Sequence, residues 1–176
     1  MRFAWDLAAR DYGCRYLAVL DADTVVKPDW LIRMRALHRH KQEHNPLFLV
    51  TGYNSKAHTT LAREQDFCLK ESLGGASLLF SVNMYDRLVR DALVENWDWR
   101  VVDAMRALHG TMLAVTPSVV QHLGVFGLHC NIFQQVECSF DYRAWWTPLM
   151  KFLYYLPYLK SRPILILSKL IGRLRR

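Results

Sequence analysis

Acidic side chains are missing from the C-terminal part of this chain. The 176 residues carry 23 lysines and arginines against 16 aspartates and glutamates, a formal net charge of +7. Residues 1–147 hold 16 charges of each sign, so the whole excess lies on the cations of residues 148–176. A protein that binds nucleic acid through its folded body would spread positive charge over one face. This distribution argues against a nucleic-acid partner.

The sequence also lacks the apolar segments that direct a chain into a membrane. The N-terminal stretch MRFAWDLAARDYG carries Asp6, Arg10 and Asp11, which a signal-peptide core would exclude. No run of about 18 apolar residues occurs, so we expect no membrane-spanning helix.

Cysteine is scarce and shows no CxxC spacing. We predict free, buried thiols in a reducing compartment, rather than a disulfide between Cys130 and Cys138. A zinc site would need four converging ligands, and His129 beside Cys130 is too little to predict one. The four cysteines are Cys14, Cys68, Cys130 and Cys138.

Short apolar runs alternate with helical patterns, which predicts an α/β layered fold. RYLAVL at 15–20 is bounded by polar residues and is typical of a buried parallel strand. Residues 54–73 are polar and mixed, and we expect an excursion or an active-site loop there. The other predicted strands are 47–53, 76–81 and 111–117. Helices are predicted at 2–12, where Gly13 ends the helix, at 83–94 and at 97–110, and a further helix begins at Pro28 and Asp29.

Helical spacing also predicts which side chains are buried. One apolar face carries Trp30, Met34 and Leu37, and another carries Val101, Met105 and Leu108. The polar stretch RALHRHKQEH is expected to be a solvated helix end, because cations near a helix C-terminus are favourable without any function. Its histidines are His38, His40 and His44.

Two carboxylates follow the first predicted strand. Asp21 and Asp23 are two residues apart, so both side chains point the same way if the strand geometry continues. Paired carboxylates suit a hard divalent cation such as Mg²⁺ or Mn²⁺, and ligands bind at the carboxyl edge of open α/β sheets. The alternative is a strand-ending turn with solvated aspartates.

Two enzyme classes use such a pair. LDADTVV fits the nucleophile motif of haloacid-dehalogenase-type phosphatases, in which Asp21 would attack phosphorus. No later GDxxxD-like metal motif of that class occurs in the sequence. LDADTVVKPDWL also resembles the DxD segment of glycosyltransferases with the GT-A fold.

Three further segments resemble the same enzymes in the same order. The first, GGASLLFS (74–81), looks like the acceptor-side strand of the GT-A fold. The second, ENWDWRVVDAMRALHG (95–110), is similar to the helix start that carries the catalytic carboxylate in N-acetylglucosaminyltransferase-I-like enzymes. The third, TPSVVQHLGVFG (116–127), looks like the segment after the last core strand. The resemblance, which extends to family-2-like transferases, covers about residues 10–127. It implies a Rossmann-like mixed sheet flanked by helices.

The resemblance implies a role for each candidate residue on the donor side. Asp23 would bind Mn²⁺ or Mg²⁺, and Asp21 would bind the ribose or a metal-bound water of the nucleotide-sugar donor. His122 would be the third protein contact to the metal or the pyrophosphate; otherwise it only caps a strand end. Gly74 and Gly75 would let the backbone approach the sugar.

Asp98 is the predicted general base, taking the proton from an acceptor hydroxyl in an inverting transfer. A helix N-terminus keeps a carboxylate ionised, and Trp97 and Trp99 offer flat faces for sugar rings. The alternatives are that Asp98 is only an N-cap and that the tryptophans belong to the core. Glu95 and Asp103 are the reserve candidates.

A GT-A domain begins with a strand–helix–strand–helix half that holds the nucleotide base. Only 20 residues precede Asp21, so the resemblance predicts that the catalytic domain, residues 1–143, lacks that half and is incomplete. An inactive transferase that serves as a membrane- or partner-binding module is the corresponding non-enzyme alternative.

Residues 144–176 combine aromatics and cations in a predicted amphipathic tail. Leu167, Leu170, Ile171 and Leu174 fall on one helical face, and Lys169, Gly172, Arg173 and Arg176 on the other. We predict peripheral association with an anionic membrane surface, at its cytoplasmic face, which suits a glycan, lipid-linked or envelope acceptor. Co-sedimentation with anionic liposomes that persists without residues 148–176 would contradict this.

Overall fold

A computed structural model of the protein describes residues 2–42 and 47–122. The predicted membrane tail, His44, His129, Cys130 and Cys138 lie outside the described residues. Within them the helices are α1 (Arg2–Arg10), α2 (Trp30–Gln42), α3 (Val82–Met84), a π-helical turn (Tyr85–Val89), α4 (Arg90–Ala92) and α5 (Trp97–Ala107). The strands are β1 (Tyr16–Leu20), β2 (Thr24–Val26), β3 (Phe48–Thr51), β4 (Thr60–Arg63), β5 (Phe67–Lys70), β6 (Ser77–Ser81), β7 (Thr111–Val115) and β8 (Val120–His122).

Six strands form one mixed sheet in the order β1-β6-β3-β7-β5-β4, and β2 pairs with β8 in a second, two-stranded sheet. β3 and β7 are parallel, whereas the other pairs are antiparallel. The predicted α/β class, a mixed sheet flanked by helices, is confirmed.

The observed strands differ from the sequence-based expectations in three places. RYLAVL is not a buried parallel strand, because β1 lies at the sheet edge and pairs antiparallel with β6 alone. Side chains along β1 therefore alternate, with Leu17 and Val19 buried and Ala18 and Leu20 exposed. Residues 54–73 contain the hairpin β4–β5 rather than only a loop. β2 and β8 have three residues each, too few to show a periodic pattern, and the sequence did not predict them.

The sheet separates two hydrophobic clusters because successive strand side chains point to opposite faces. In β6, Leu78 and Phe80 pack on the side of α1 and α5, and Leu79 packs on the side of α2. The predicted buried face of α2 is confirmed at Met34 and Leu37, with Trp30 packed against them. Val101 and Met105 of α5 are buried as predicted, but Leu108 is 55% exposed, because the helix ends at Ala107 and the chain turns away from the core.

The predicted solvated histidines separate into two environments. His38 is buried, with ring centroids 5.0 Å from Tyr16 and 5.2 Å from Phe48, so the prediction is wrong for it. Its position four residues after Met34 puts it on the buried face of α2. His40 is exposed, as predicted.

Cys14 and Cys68 are both free, as predicted. Cys68 is buried, but Cys14 is exposed, because it lies in the turn that follows α1 rather than in the sheet. Within residues 2–42 and 47–122 no helix is long and apolar enough to cross a membrane.

Candidate metal and catalytic site

The end of β1 and the small β2–β8 sheet bring three predicted residues together. The Asp21 N–H donates to the carbonyl of Ala76 next to β6, at 3.0 Å. The backbone N–H and hydroxyl of Thr24 both donate to the Asp21 carbonyl, at 3.2 and 2.8 Å, and thereby close a turn that contains Asp23. Thr24 pairs with His122 across β2 and β8. His122, about 100 positions away in sequence, thus faces both aspartates.

The three side chains form a compact ligand set. His122 Nε2 lies 3.1 Å from Asp23 Oδ1 and 4.0 Å from Asp21 Oδ2. One ligand atom from each residue lies within 4.8 Å of the others. The ring of His122 also packs edge-on against Tyr53, with centroids 5.9 Å apart, which fixes its orientation.

Asp23 gives an independent indication that a cation fits here. Its side chain is only 11% exposed, and its Oδ2 is buried with no hydrogen-bond partner among the described residues. A buried, unpartnered carboxylate oxygen is costly, and a bound cation would satisfy it. Two carboxylates and one imidazole suit Mn²⁺ or Mg²⁺, which take further ligands from water or phosphate oxygens.

The electrostatics of Asp21 agree with this interpretation. Burial raises the pKa of its carboxyl above the usual value, and the charges of Asp23 and Asp98 add to the rise while His122 opposes it. Asp98 therefore lies close enough to the ligand set for its charge to be felt there. A divalent cation would remove the repulsion among the three carboxylates.

Asp98 is held at the start of α5 by the glycine loop before β6. Its Oδ2 accepts a hydrogen bond from the Gly75 N–H at 3.2 Å. A Cβ on Gly75 would lie 3.1 Å from the Asp98 Cβ, so a residue with a side chain would push the carboxylate away. Asn96, not Asp98, occupies the N-cap position, which excludes the N-cap alternative for Asp98.

The other acidic candidates point elsewhere. Asp103 is 70% exposed and pairs with Arg106 at 3.5 Å, and Glu95 is exposed before the helix. Asp98 thus stays the predicted base, and its catalytic role itself is still a prediction.

The two tryptophans have different surroundings. Trp97 packs edge-to-face on Trp5, with centroids 5.5 Å apart, and is partly buried against the core cluster under α5, which favours the alternative that it belongs to the core. Trp99 is 49% exposed and its ring lies 5.9 Å from that of His58. Sugar binding by Trp99 is still a prediction.

Sequence analysis missed His58, which lies between β3 and β4. Its Nδ1 is 2.8 Å from Ser72 Oγ. Burial lowers the pKa of its imidazole, the cations of Lys70 and Arg106 lower it further, and Asp98 opposes them. The only signal in the sequence was its position inside the segment 54–73 that was predicted to include an active-site loop.

The raised pKa of Asp21 predicts how metal binding depends on pH. Metal ligands must be deprotonated, so Mn²⁺ affinity should fall as the pH falls, from a higher pH than an ordinary aspartate would give. Without metal the folded state holds the Asp21 proton more tightly than the unfolded chain, so this carboxyl increasingly destabilises the fold as the pH rises through its raised pKa. Asp21→Asn should therefore raise the melting temperature of the metal-free protein at neutral pH. Thermal unfolding and Mn²⁺ titrations followed by electron paramagnetic resonance across the acidic range check both effects. An Asp21→Asn melting temperature that is unchanged or lower would contradict the predicted destabilisation by Asp21.

Comparison of the sequence with protein-family models and with curated proteins gave no match.

Proposed function

We propose that this protein is a metal-dependent glycosyltransferase of the GT-A type, which transfers a sugar from a nucleotide-sugar donor to a hydroxyl acceptor with inversion. The observation that carries the proposal is the convergence of ligand atoms of Asp21, Asp23 and His122 within 4.8 Å, together with a buried Asp23 Oδ2 that has no hydrogen-bond partner among the described residues. The negative charge of Asp98, on α5, also acts on the carboxyl of Asp21.

The position of the site in the sheet supports the proposal. β1 and β6 are antiparallel, and Leu20 pairs with Ser77, so the carboxyl end of β1 meets the glycine loop that enters β6. The Gly75 N–H of that loop donates to Asp98, so the loop connects the proposed metal ligands with the proposed base. A transferase needs both near one point, because the metal binds the leaving group and the base deprotonates the attacking hydroxyl at the same anomeric carbon.

Each residue has a proposed chemical task. Asp23 and His122 would hold Mn²⁺ or Mg²⁺, and Asp21 would bind the donor ribose or a metal-bound water. The metal, when bound, would neutralise charge on the pyrophosphate leaving group. Asp98 would accept the proton of the acceptor hydroxyl as that oxygen bonds to the anomeric carbon and the bond to the pyrophosphate breaks.

The proposal includes the partners and location predicted from the sequence. The acceptor would be a glycan, lipid-linked or envelope molecule, and the basic residues of 144–176 would hold the enzyme on the anionic, cytoplasmic face of a membrane. This part rests on the sequence pattern alone.

Incubation of the full chain with Mn²⁺ and a panel of nucleotide sugars tests the proposal. Because the sequence predicts that the base-binding half is missing, we expect Mn²⁺ to recruit nucleoside diphosphates only weakly, through the pyrophosphate, seen as paramagnetic broadening of their ³¹P resonances. Any release of diphosphate from a nucleotide sugar should depend on Mn²⁺. Asp23→Ala should abolish both effects, and the distant Asp11→Ala should preserve them.

Two other outcomes would overturn the proposal. Release of inorganic phosphate with an aspartyl-phosphate at Asp21 would identify the phosphatase alternative. Binding of Mn²⁺ without any recruitment of diphosphates would leave a metal-binding module rather than a transferase.

A further inference from the structure

His58 lies beside the glycine loop, where a Cβ on Gly74 would be 3.1 Å from its Nε2. Its Nδ1 is fixed by the Ser72 hydroxyl at 2.8 Å. Lys70, itself buried, holds the loop around it by donating to the carbonyls of Ser55 and His58, at 3.0 and 3.1 Å. The Nε2 of His58 has no hydrogen-bond partner among the described residues. The imidazole is thus held in place with one nitrogen available to a ligand.

The two consecutive glycines each face one polar side chain. A Cβ on Gly74 would lie 3.1 Å from His58 Nε2, and a Cβ on Gly75 would lie 3.2 Å from Asp98 Oδ2. His58 and Asp98 therefore approach neighbouring residues of the same short backbone segment. Their separation is small enough that the Asp98 charge acts on the imidazole.

Trp99 completes this group. Half of its surface is exposed, and its ring is tilted by 47° to that of His58 with the centroids 5.9 Å apart. His58 links the two residues of α5, because its ring contacts Trp99 and the charge of Asp98 acts on its imidazole. His58 also interacts with polar and charged groups, namely Ser72 by a hydrogen bond and Lys70 and Arg106 through their charges.

A flat aromatic face bordered by hydrogen-bonding groups matches one class of acceptor. A pyranose has an apolar C–H face that stacks on indole and a rim of hydroxyls that require polar partners. An acyl chain would need a groove of apolar side chains, and the polar neighbours of His58 do not provide one. This group of side chains therefore favours a sugar over the hydrophobic part of a lipid.

We infer that His58 is a specificity-determining residue of the acceptor side, which together with Trp99 holds a sugar ring so that one hydroxyl lies next to Asp98. This rests on the proposed function for the identity of the reaction. His58 selects the acceptor through a hydrogen bond made by its Nε2, and Asp98 takes the proton of the acceptor hydroxyl.

Binding of simple glycosides to the full chain tests the inference without turnover. The probes are the methyl glycosides of glucose, galactose, mannose and N-acetylglucosamine, added to protein with ¹⁵N-labelled histidine and tryptophan side chains. We expect at least one glycoside to shift the His58 Nε2 and Trp99 Nε1 resonances in a saturable way. His58→Gln should weaken that binding about 3–10-fold, the worth of one hydrogen bond.

Two further variants keep the test specific. Gly74→Ala retains the side chains of His58 and Trp99, but its added methyl group crowds the imidazole, so it should also weaken glycoside binding. His40→Gln, at an exposed histidine of α2, should have no effect.

The inference is overturned if no glycoside of the panel shifts the two resonances, or if His58→Gln leaves the affinity unchanged. It is also overturned if micelles of a short-chain phosphatidylcholine shift them and the glycosides do not. Mn²⁺-dependent recruitment of nucleoside diphosphates, measured on the same sample, reports separately on the proposed function. Loss of that recruitment with glycoside binding intact would overturn the transferase assignment alone.

Discussion

Asp23→Asn should reduce the affinity of the protein for Mn²⁺ by about 100-fold or more, since even the loss of a residue that only orients a ligand costs about 10–100-fold. Asp23 is the most buried of the three candidate ligands, and its Oδ2 has no other partner among the described residues. Removal of its charge leaves only one carboxylate to attract the cation. Titration of free Mn²⁺ by electron paramagnetic resonance measures the change directly.

The same variant should leave the fold intact. Asparagine has nearly the shape of aspartate, and the substitution removes a buried charge that lies next to Asp21. Metal-free Asp23→Asn should therefore melt no lower than the wild type, whereas Mn²⁺ should stabilise only the wild type. Asp11→Asn, at an exposed position after α1, is the matched control and should bind Mn²⁺ normally. Undiminished Mn²⁺ binding by Asp23→Asn would show that the ligand set is not a metal site.

Gly52→Ala should destabilise the fold by about 1–3 kcal/mol, the usual cost of overpacking a core, and should also weaken metal binding. A Cβ at Gly52 would lie 2.7 Å from a methyl carbon of Val120 and 3.0 Å from the sulfur of Met34. The carbonyl of Gly52 accepts the N–H groups of Val119 and Val120, at 2.9 and 3.0 Å. The closest contact is with Val120, so relief of the clash would displace β8, and β8 carries His122.

A comparison of two glycines separates the two effects of this variant. Gly13 has a φ of +59° and open space around it, so Gly13→Ala should cost about 1 kcal/mol through backbone strain alone. It lies at the opposite end of β1 and should leave Mn²⁺ affinity unchanged. Urea unfolding and Mn²⁺ titration of both variants give the comparison. If Gly52→Ala is destabilised but binds Mn²⁺ as tightly as Gly13→Ala, then His122 is not a ligand.

Features that depend on nearby residues could be predicted from the sequence. The helix faces at Met34 and Val101 and the strands around Leu49 and Leu79 follow from local periodicity. Periodicity failed where an element ended or where a residue took part in a tertiary contact. Leu108 comes one residue after α5 ends, and His38 is enclosed by aromatic rings from two different strands.

The same distinction between local and long-range features applies to the residues of the candidate site. The spacing of Asp21 and Asp23 put two carboxylates in one turn, and the sequence around Asp98 put a carboxylate in the first turn of a helix. His122 was selected by resemblance, and its distance to Asp23 depends on the pairing of two three-residue strands. His58 had no motif to mark it, since its neighbours in space come from β5, the glycine loop and α5.

The α/β class, the paired carboxylates after β1, and the separation of a charge-balanced body from a basic tail could all be predicted from residue order. The edge position of β1, the packing of Trp97 against the core and the proximity of His58 to Asp98 became known from the folded chain. The difference lies in the range of the interactions involved. Helical and strand periodicity arise from interactions over a few residues, whereas a site is formed by side chains that long-range strand pairing and core packing bring within a few ångströms.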